Sequence, residues 1–163
     1  MNKRRLTITA IVSIWLAAIL QQAVAPRLSI LGMRPDFLLV VLTPLSLWVP
    51  RSTAAILGFF CGFFQGAAAG ANLTHYVISR TVAGFAGSWS RTVGFEINAV
   101  VVGVTAFLLT LLAQTVWMFL AAPREVLAFL GDTIGSAMYN GVLAIPVYML
   151  LKRIVNPNAR SGL

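Results

Sequence analysis

The stretch Ala54-Ala55-Ile56-Leu57-Gly58-Phe59-Phe60-Cys61-Gly62-Phe63-Phe64-Gln65-Gly66-Ala67-Ala68-Ala69-Gly70-Ala71 contains no charged residue and places glycine at every fourth position from 58 to 70. An apolar run of about 20 residues is long enough to cross a hydrocarbon core as a helix. Residues four apart share one helix face, so Gly58, Gly62, Gly66 and Gly70 form a groove along it. Lipid tails give helices no hydrophobic reason to associate. Small residues instead let two backbones approach and gain van der Waals contact. The groove is therefore read as a packing face for another helix of this chain or for a partner's helix, ahead of a ligand groove.

The rest of the chain repeats the same solvent logic. It has 163 residues, 59% of them hydrophobic and 10% charged, whereas a soluble domain is about a quarter charged. Too few polar side chains are available to coat a water-facing surface. Six apolar segments are expected, at 6–25, 36–49, 54–71, 74–89, 97–120 and 133–151, with a short interfacial helix at 126–130. This makes residues 1–163 a single integral membrane domain, an all-α bundle of six transmembrane helices with minimal loops. The second span is short and contains Pro44, so it needs tilt, local thinning, or extension back to Leu31 to cross. A re-entrant hairpin of the second and third segments is the alternative. Ser52 or Thr53 is expected to cap the third helix and Asp132 the sixth. The first segment, with Lys3-Arg4-Arg5 before it, an apolar run from Leu6 to Leu20 and Ala23-Val24-Ala25 at its end, resembles a secretory signal, but Pro26 follows the would-be cut. It is read as an uncleaved span.

The net charge of +8 reflects topology and contact with anionic headgroups, not nucleic acid. With the spans alternating, Lys3, Arg4, Arg5, Arg51, Arg91, Lys152, Arg153 and Arg160 fall on one side, and Arg27, Arg34 and Arg124 on the other. The positive-inside rule then places both termini in the cytoplasm and the protein in the cytoplasmic (inner) membrane. Arg80 lies within an apolar run, where a charge costs roughly 2.5–3.5 kcal/mol. Either it is paired, with Asp36 and Glu96 as available acids, or the span shifts and puts it at the interface beside His75 and Tyr76. Gln65 and Asn140 are polar groups in apolar runs, suited to hydrogen bonds between helices. Trp15, Trp48, Trp89 and Trp117 read as interfacial anchors. Cys61 reads as a small packing residue. One His and one Cys cannot make a zinc site, and nucleophile-elbow and phosphate-loop motifs are absent. No enzyme, cofactor or metal is expected.

Three segments carry a family resemblance. They are Met33-Arg34-Pro35-Asp36 with the apolar helix that follows; Leu57-Gly58-Phe59-Phe60-Cys61-Gly62-Phe63-Phe64-Gln65-Gly66; and Tyr139-Asn140-Gly141-Val142-Leu143-Ala144 with Pro146 and Lys152-Arg153. Their order and spacing resemble MreD, the rod shape-determining membrane protein family of bacteria. In that pattern an acid usually follows the glutamine, and here Gly66 stands in its place. The resemblance implies a non-enzymatic scaffold of the cell-elongation complex. It implies binding to an MreC-like single-span protein and positioning of the transpeptidase and glycosyltransferase of peptidoglycan synthesis. It also implies a fold similar to the substrate-binding subunits of energy-coupling-factor transporters. Candidate contact residues are Gly58, Gly62, Gly66 and Gly70 on the glycine face, Arg34, Pro35 and Asp36 in the outer connector, and Gln65 and Asn140. The rival reading is a vitamin-type transporter subunit with Arg80, Gln65, Asn98 and Asn140 lining a polar cavity.

Overall fold

The computed structural model describes residues 3–30, 33–70, 72–89, 96–123 and 125–156. Arg91, Arg124 and Arg160, part of the charge count above, lie outside the described residues, as does the tail 157–163. Among the described residues the chain is all-helical, with six α-helices: α1 Lys3–Ala23, α2 Phe37–Trp48, α3 Arg51–Ala69, α4 Leu73–Trp89, α5 Ala99–Ala121 and α6 Val126–Val155. Four of them, α1, α3, α5 and α6, are long and apolar enough to cross a membrane. The protein is a multi-pass membrane protein.

α2 is the axis of the bundle. Ten of its residues, Leu38 through Leu47, are buried without a break, as expected of a helix that is hydrophobic all round. Leu38, Val41, Leu42 and Leu45 pack with Ala10, Ile14 and Ala17 of α1 and Cys61 of α3. Val40 and Leu47 pack with Val102, Ala106, Ala144 and Tyr148 of α5 and α6. Leu39 packs with Ala83 of α4 and with Leu109 and Ala113 of α5. Each core cluster thus draws on α2, and the other five helices surround it. Contacts between facing residues show α1, α3 and α5 running one way and α2, α4 and α6 the other, so Lys3 and Val155 lie at the same end.

The glycine groove is filled from within the chain. A Cβ on Gly58 would run into the carbonyl of Arg80, one on Gly62 into that of Tyr76, and one on Gly66 would lie 2.8 Å from the Cα of Leu73. Gly84 of α4 meets Ala54 in return. α3 and α4 therefore pack backbone to backbone from Gly58 to Gly66, and this part of the face cannot receive a partner's helix. Gly70 has a different task. With φ +66° it ends α3 in the left-handed region, which glycine adopts without strain.

Other expectations change. Residues 126–130 do not form a separate interfacial helix. They are the first turns of α6, which runs for 30 residues, about 45 Å. Phe129 stacks on Trp117 with ring centroids 5.6 Å apart, tying the start of α6 to the end of α5. Asp132 is an exposed residue within α6, not its cap. α3 begins at Arg51, with Pro50 in the N-cap position. Pro50 accepts from the Ala54 N–H at 2.9 Å, so Ser52 and Thr53 sit inside the first turn instead of capping it. The second span does not extend back as helix: Ile30 and Met33 bond each other at 3.0 and 2.9 Å, and residues 34–36 are not helical.

Replacing Gly58 by Ala should destabilise the bundle by about 1–3 kcal/mol, since the added methyl meets backbone that cannot rotate away. Gly131→Ala is the control. Nothing lies within 4 Å of its Cβ position, and helix propensity favours the change by up to about 1 kcal/mol. Thermal unfolding in mild detergent separates the two. A Gly58→Ala protein as stable as the parent would contradict the close packing of α3 on α4.

Candidate functional site

The short axis helix starts deep in the bundle, and its N-terminus gathers the polar side chains of the other helices. The first N–H groups of a helix have no partner in the helix itself. At α2 they are met from three directions. Asp36 caps the helix, its Oδ1 accepting from Leu39 N–H at 3.0 Å. Gln21 of α1 accepts from Phe37 N–H at 2.7 Å through Oε1 and donates from Nε2 to the Pro35 carbonyl at 3.3 Å. Asn140 of α6 accepts from Asp36 N–H at 2.9 Å and donates to Thr110 Oγ1 of α5 at 3.1 Å. Thr110 Oγ1 in turn donates to the Ala106 carbonyl at 2.8 Å.

Arg80 of α4 completes the cluster. It is 1% exposed and forms an ion pair with Asp36, Nη2 donating to Oδ2. Its Nε donates to Gln65 Oε1 of α3 at 2.9 Å, and Gln65 Nε2 donates to Asp36 Oδ2 at 3.1 Å. The guanidinium also lies 5.8 Å from the ring centre of Tyr76, within range of a cation–π contact. Arg80, Gln65 and Asp36 thus close a triangle in which each member bonds the other two. The alternative that Arg80 sits at an interface does not hold: its charge is buried and answered by Asp36. The carboxylate also lies at the N-terminus of α2, where it caps the helix.

Every helix other than α2 therefore contributes at least one polar side chain to this point: Gln21, Gln65, Arg80, Thr110 and Asn140. Of the residues singled out in sequence, Asp36, Gln65, Asn140 and Arg80 meet here. Pro35 is buried beside them and supplies its carbonyl to Gln21. Arg34 points outward and is exposed. Gly58, Gly62 and Gly66 line the α3–α4 contact and hold Arg80 within reach of Gln65, whereas Gly70 ends its helix. Asn98 caps α5 through Val101 N–H at 2.9 Å, far along the chain from the cluster. Gln21, which has Gln22 beside it, and Thr110 were missed, although each is a polar residue in an apolar run, the signal that marked Gln65 and Asn140.

The chemistry available to such a cluster is limited. A guanidinium does not give up its proton in proteins, so Arg80 cannot relay one. Both Asp36 oxygens are occupied. Of the would-be cavity liners of a transporter, Arg80 and Gln65 bond each other and Asp36, and Asn140 bonds the Asp36 N–H and Thr110. The arrangement is suited to locking helices in register.

Truncating either ion partner should leave the other charge buried and unanswered, at a cost of about 3–5 kcal/mol. Asp36→Ala and Arg80→Met should each destabilise the protein strongly. The double variant should be less damaging than the sum by about 1–3 kcal/mol. Reversible unfolding in mixed detergent and denaturing amphiphile measures the cycle, and strict additivity would mean that the pair is not coupled.

No protein family, curated protein or solved structure matches the chain in comparisons with known proteins.

Proposed function

We propose that the chain is a non-enzymatic assembly subunit of the cytoplasmic membrane, of the MreD kind, acting in the bacterial cell-elongation complex. The observation that carries this reading is where the three resembling segments meet. Asp36 of the first, Gln65 of the second and Asn140 of the third lie 29 and 104 residues apart and bond at one point. Residues quoted for their spacing alone are thus a working unit in three dimensions. That unit is a lock, which suits a protein whose task is to hold its shape while others bind it.

In this reading all six helices span the bilayer, with α2 and α4 as the short spans, in a fold similar to the substrate-binding subunits of energy-coupling-factor transporters. Both termini are cytoplasmic. Lys3, Arg4, Arg5, Arg51, Lys152 and Arg153 lie at the end with the termini, and Arg27 and Arg34 at the other, the bias that the positive-inside rule requires. At the same end Arg51 lies 5.2 Å from the Trp89 ring and Lys152 5.6 Å from the Tyr148 ring, as cations and aromatics do at a headgroup boundary. Three of the polar groups the transporter reading needs, Arg80, Gln65 and Asn140, are held within one hydrogen-bonded cluster, which favours the assembly reading.

The partner, an MreC-like single-span protein, has to bind away from the glycine face. The exposed connector at Arg34 is the contact surface that remains of those expected. Co-expression with that partner and capture in mild detergent tests the reading. Capture is expected with the parent and with Gly131→Ala, and should be reduced at least severalfold by Arg34→Glu, which reverses one charge on an exposed rim. Failure of the parent to retain the partner would reject the assembly role.

A further inference from the structure

Between α1 and α3, on the side of the bundle away from α4, an apolar cleft opens to the lipid. It has two parts that share Trp15 and Phe64. The upper part, about 590 Å³, is lined by Ala18, Ile19, Gln22, Ala23, Ala67 and Ala68 besides the shared pair. The lower part, about 450 Å³, is lined by Ile11, Ile14, Ile56, Leu57 and Phe60 with the same pair. Trp15 and Phe64 meet across it with ring centroids 5.2 Å apart. Trp15 is thus not an anchor at a span end but part of the wall.

We propose that this cleft holds one acyl chain of an anionic glycerophospholipid whose phosphate is bound by Arg27 and Arg34. Four observations point to that occupant. From Ile11 to Ala23 the cleft runs about 18 Å along α1, a little over half of a hydrocarbon core of about 30 Å. That is the depth of one leaflet. Its polarity is graded: Gln22 is the one polar liner, and it lies at the upper end where a lipid's ester groups would be. A spanning helix, apolar from end to end and displacing more than about 2,000 Å³, does not fit either the gradient or the volumes.

The mouth carries the matching charge. α1 leads directly into the 3-10 turn Ala25–Leu28, which contains Arg27, and Arg34 follows on the same connector. Both are exposed. The one acid of that connector, Asp36, is already neutralised by Arg80, so the connector that leaves the upper end of α1 keeps two exposed positive charges, while the exposed acids of this end, Glu125 and Asp132, belong to the α6 side. The rim is also low. Gln21, Gln65, Thr110 and Asn140 all belong to the one hydrogen-bonded cluster and so lie at a similar depth. Above them α3 ends at Ala69 and α1 passes at Ala23 into the short 3-10 turn Ala25–Leu28, whereas α5 continues to Ala121 and α6 begins at Val126. The α5–α6 side therefore stands on the order of 10–15 Å above the end of α3. A headgroup next to α1 and α3 can sink to the level of the connector, where the arginines are.

The inference does not depend on the assembly role. The test is native mass spectrometry of the full chain, purified in mild detergent and exchanged against phosphatidylglycerol or phosphatidylcholine of identical chains. One retained phosphatidylglycerol per chain is expected, favoured over phosphatidylcholine, and the preference should fall about fivefold in each of Arg27→Gln and Arg34→Gln, the weight of one basic residue near an anionic surface. Ala67→Phe fills the cleft and should abolish retention of both lipids. The arginine variants lie outside the helices, so they test the site even where Ala67→Phe does not fold. Equal retention of the two lipids by the parent overturns the proposal, as does retention unchanged in Ala67→Phe. So would a dimer of the parent that Ala67→Phe turns into monomer, since a second copy would then occupy the cleft.

Discussion

A single ion pair, Asp36 with Arg80, sets the terms for the rest of the bundle. Taking two charges out of water is unfavourable unless their remaining hydrogen-bonding capacity is met. The chain meets it by spending one polar side chain from nearly every helix on that point. Asp36 is also the cap of α2, so the pair fixes where the axis helix begins, and α2 contributes to each core cluster. Moving Asp36 would shift the start of α2 and, with it, the register of Leu38, Leu42 and Leu45 against α1 and α3.

The glycine face and the ion pair belong to the same device. Arg80 can place its guanidinium between Gln65 and Asp36 because α4 lies almost in contact with the backbone of α3. That approach depends on Gly58 and Gly62, whose missing side chains leave room for the carbonyls of Arg80 and Tyr76. A helix pair held at ordinary separation would leave Gln65 short of Arg80 Nε. The MreD pattern that the sequence resembles usually has an acid where Gly66 stands, and a side chain there would meet Leu73. In this chain the glycine extends the close contact by another turn instead.

Much of the helix pattern was legible in sequence because it depends on local rules. Apolar runs bounded by Pro26, Pro35, Pro50 and Pro123 predicted the positions of α1 to α5 to within a few residues. Where a tertiary contact decided the outcome, local reading failed. Gly131-Asp132 looked like the start of a helix, but the stacking of Phe129 on Trp117 draws the preceding turn into α6. Ser52 looked like a cap, but the extended backbone of Pro50 started the helix sooner. The polar site was half legible. Gln65, Arg80 and Asn140 stood out as polar residues among apolar ones. Which acid answered Arg80 depended on which helices are neighbours, and spacing along the chain does not encode that. Gln21 and Thr110 carried the same signal as Asn140 and differed only in lying outside the segments with a recognisable pattern.

The distribution of polarity limits where this protein can act on others. The polar side chains gathered at the start of α2 bond to one another and to its backbone, so they are not free to receive a ligand. What is left to meet another molecule is the outside: the apolar flanks of α1, α3, α5 and α6, the cations at the end with the termini, and Arg27 and Arg34 at the opposite rim. In hydrocarbon an apolar flank gains little by choosing a helix over a lipid. Selectivity there has to come from shape, as in the cleft beside Trp15 and Phe64, or from charge at the rim. A bundle locked from within is well suited to this, because it keeps both the cleft and the rim in fixed positions relative to each other whatever binds to them.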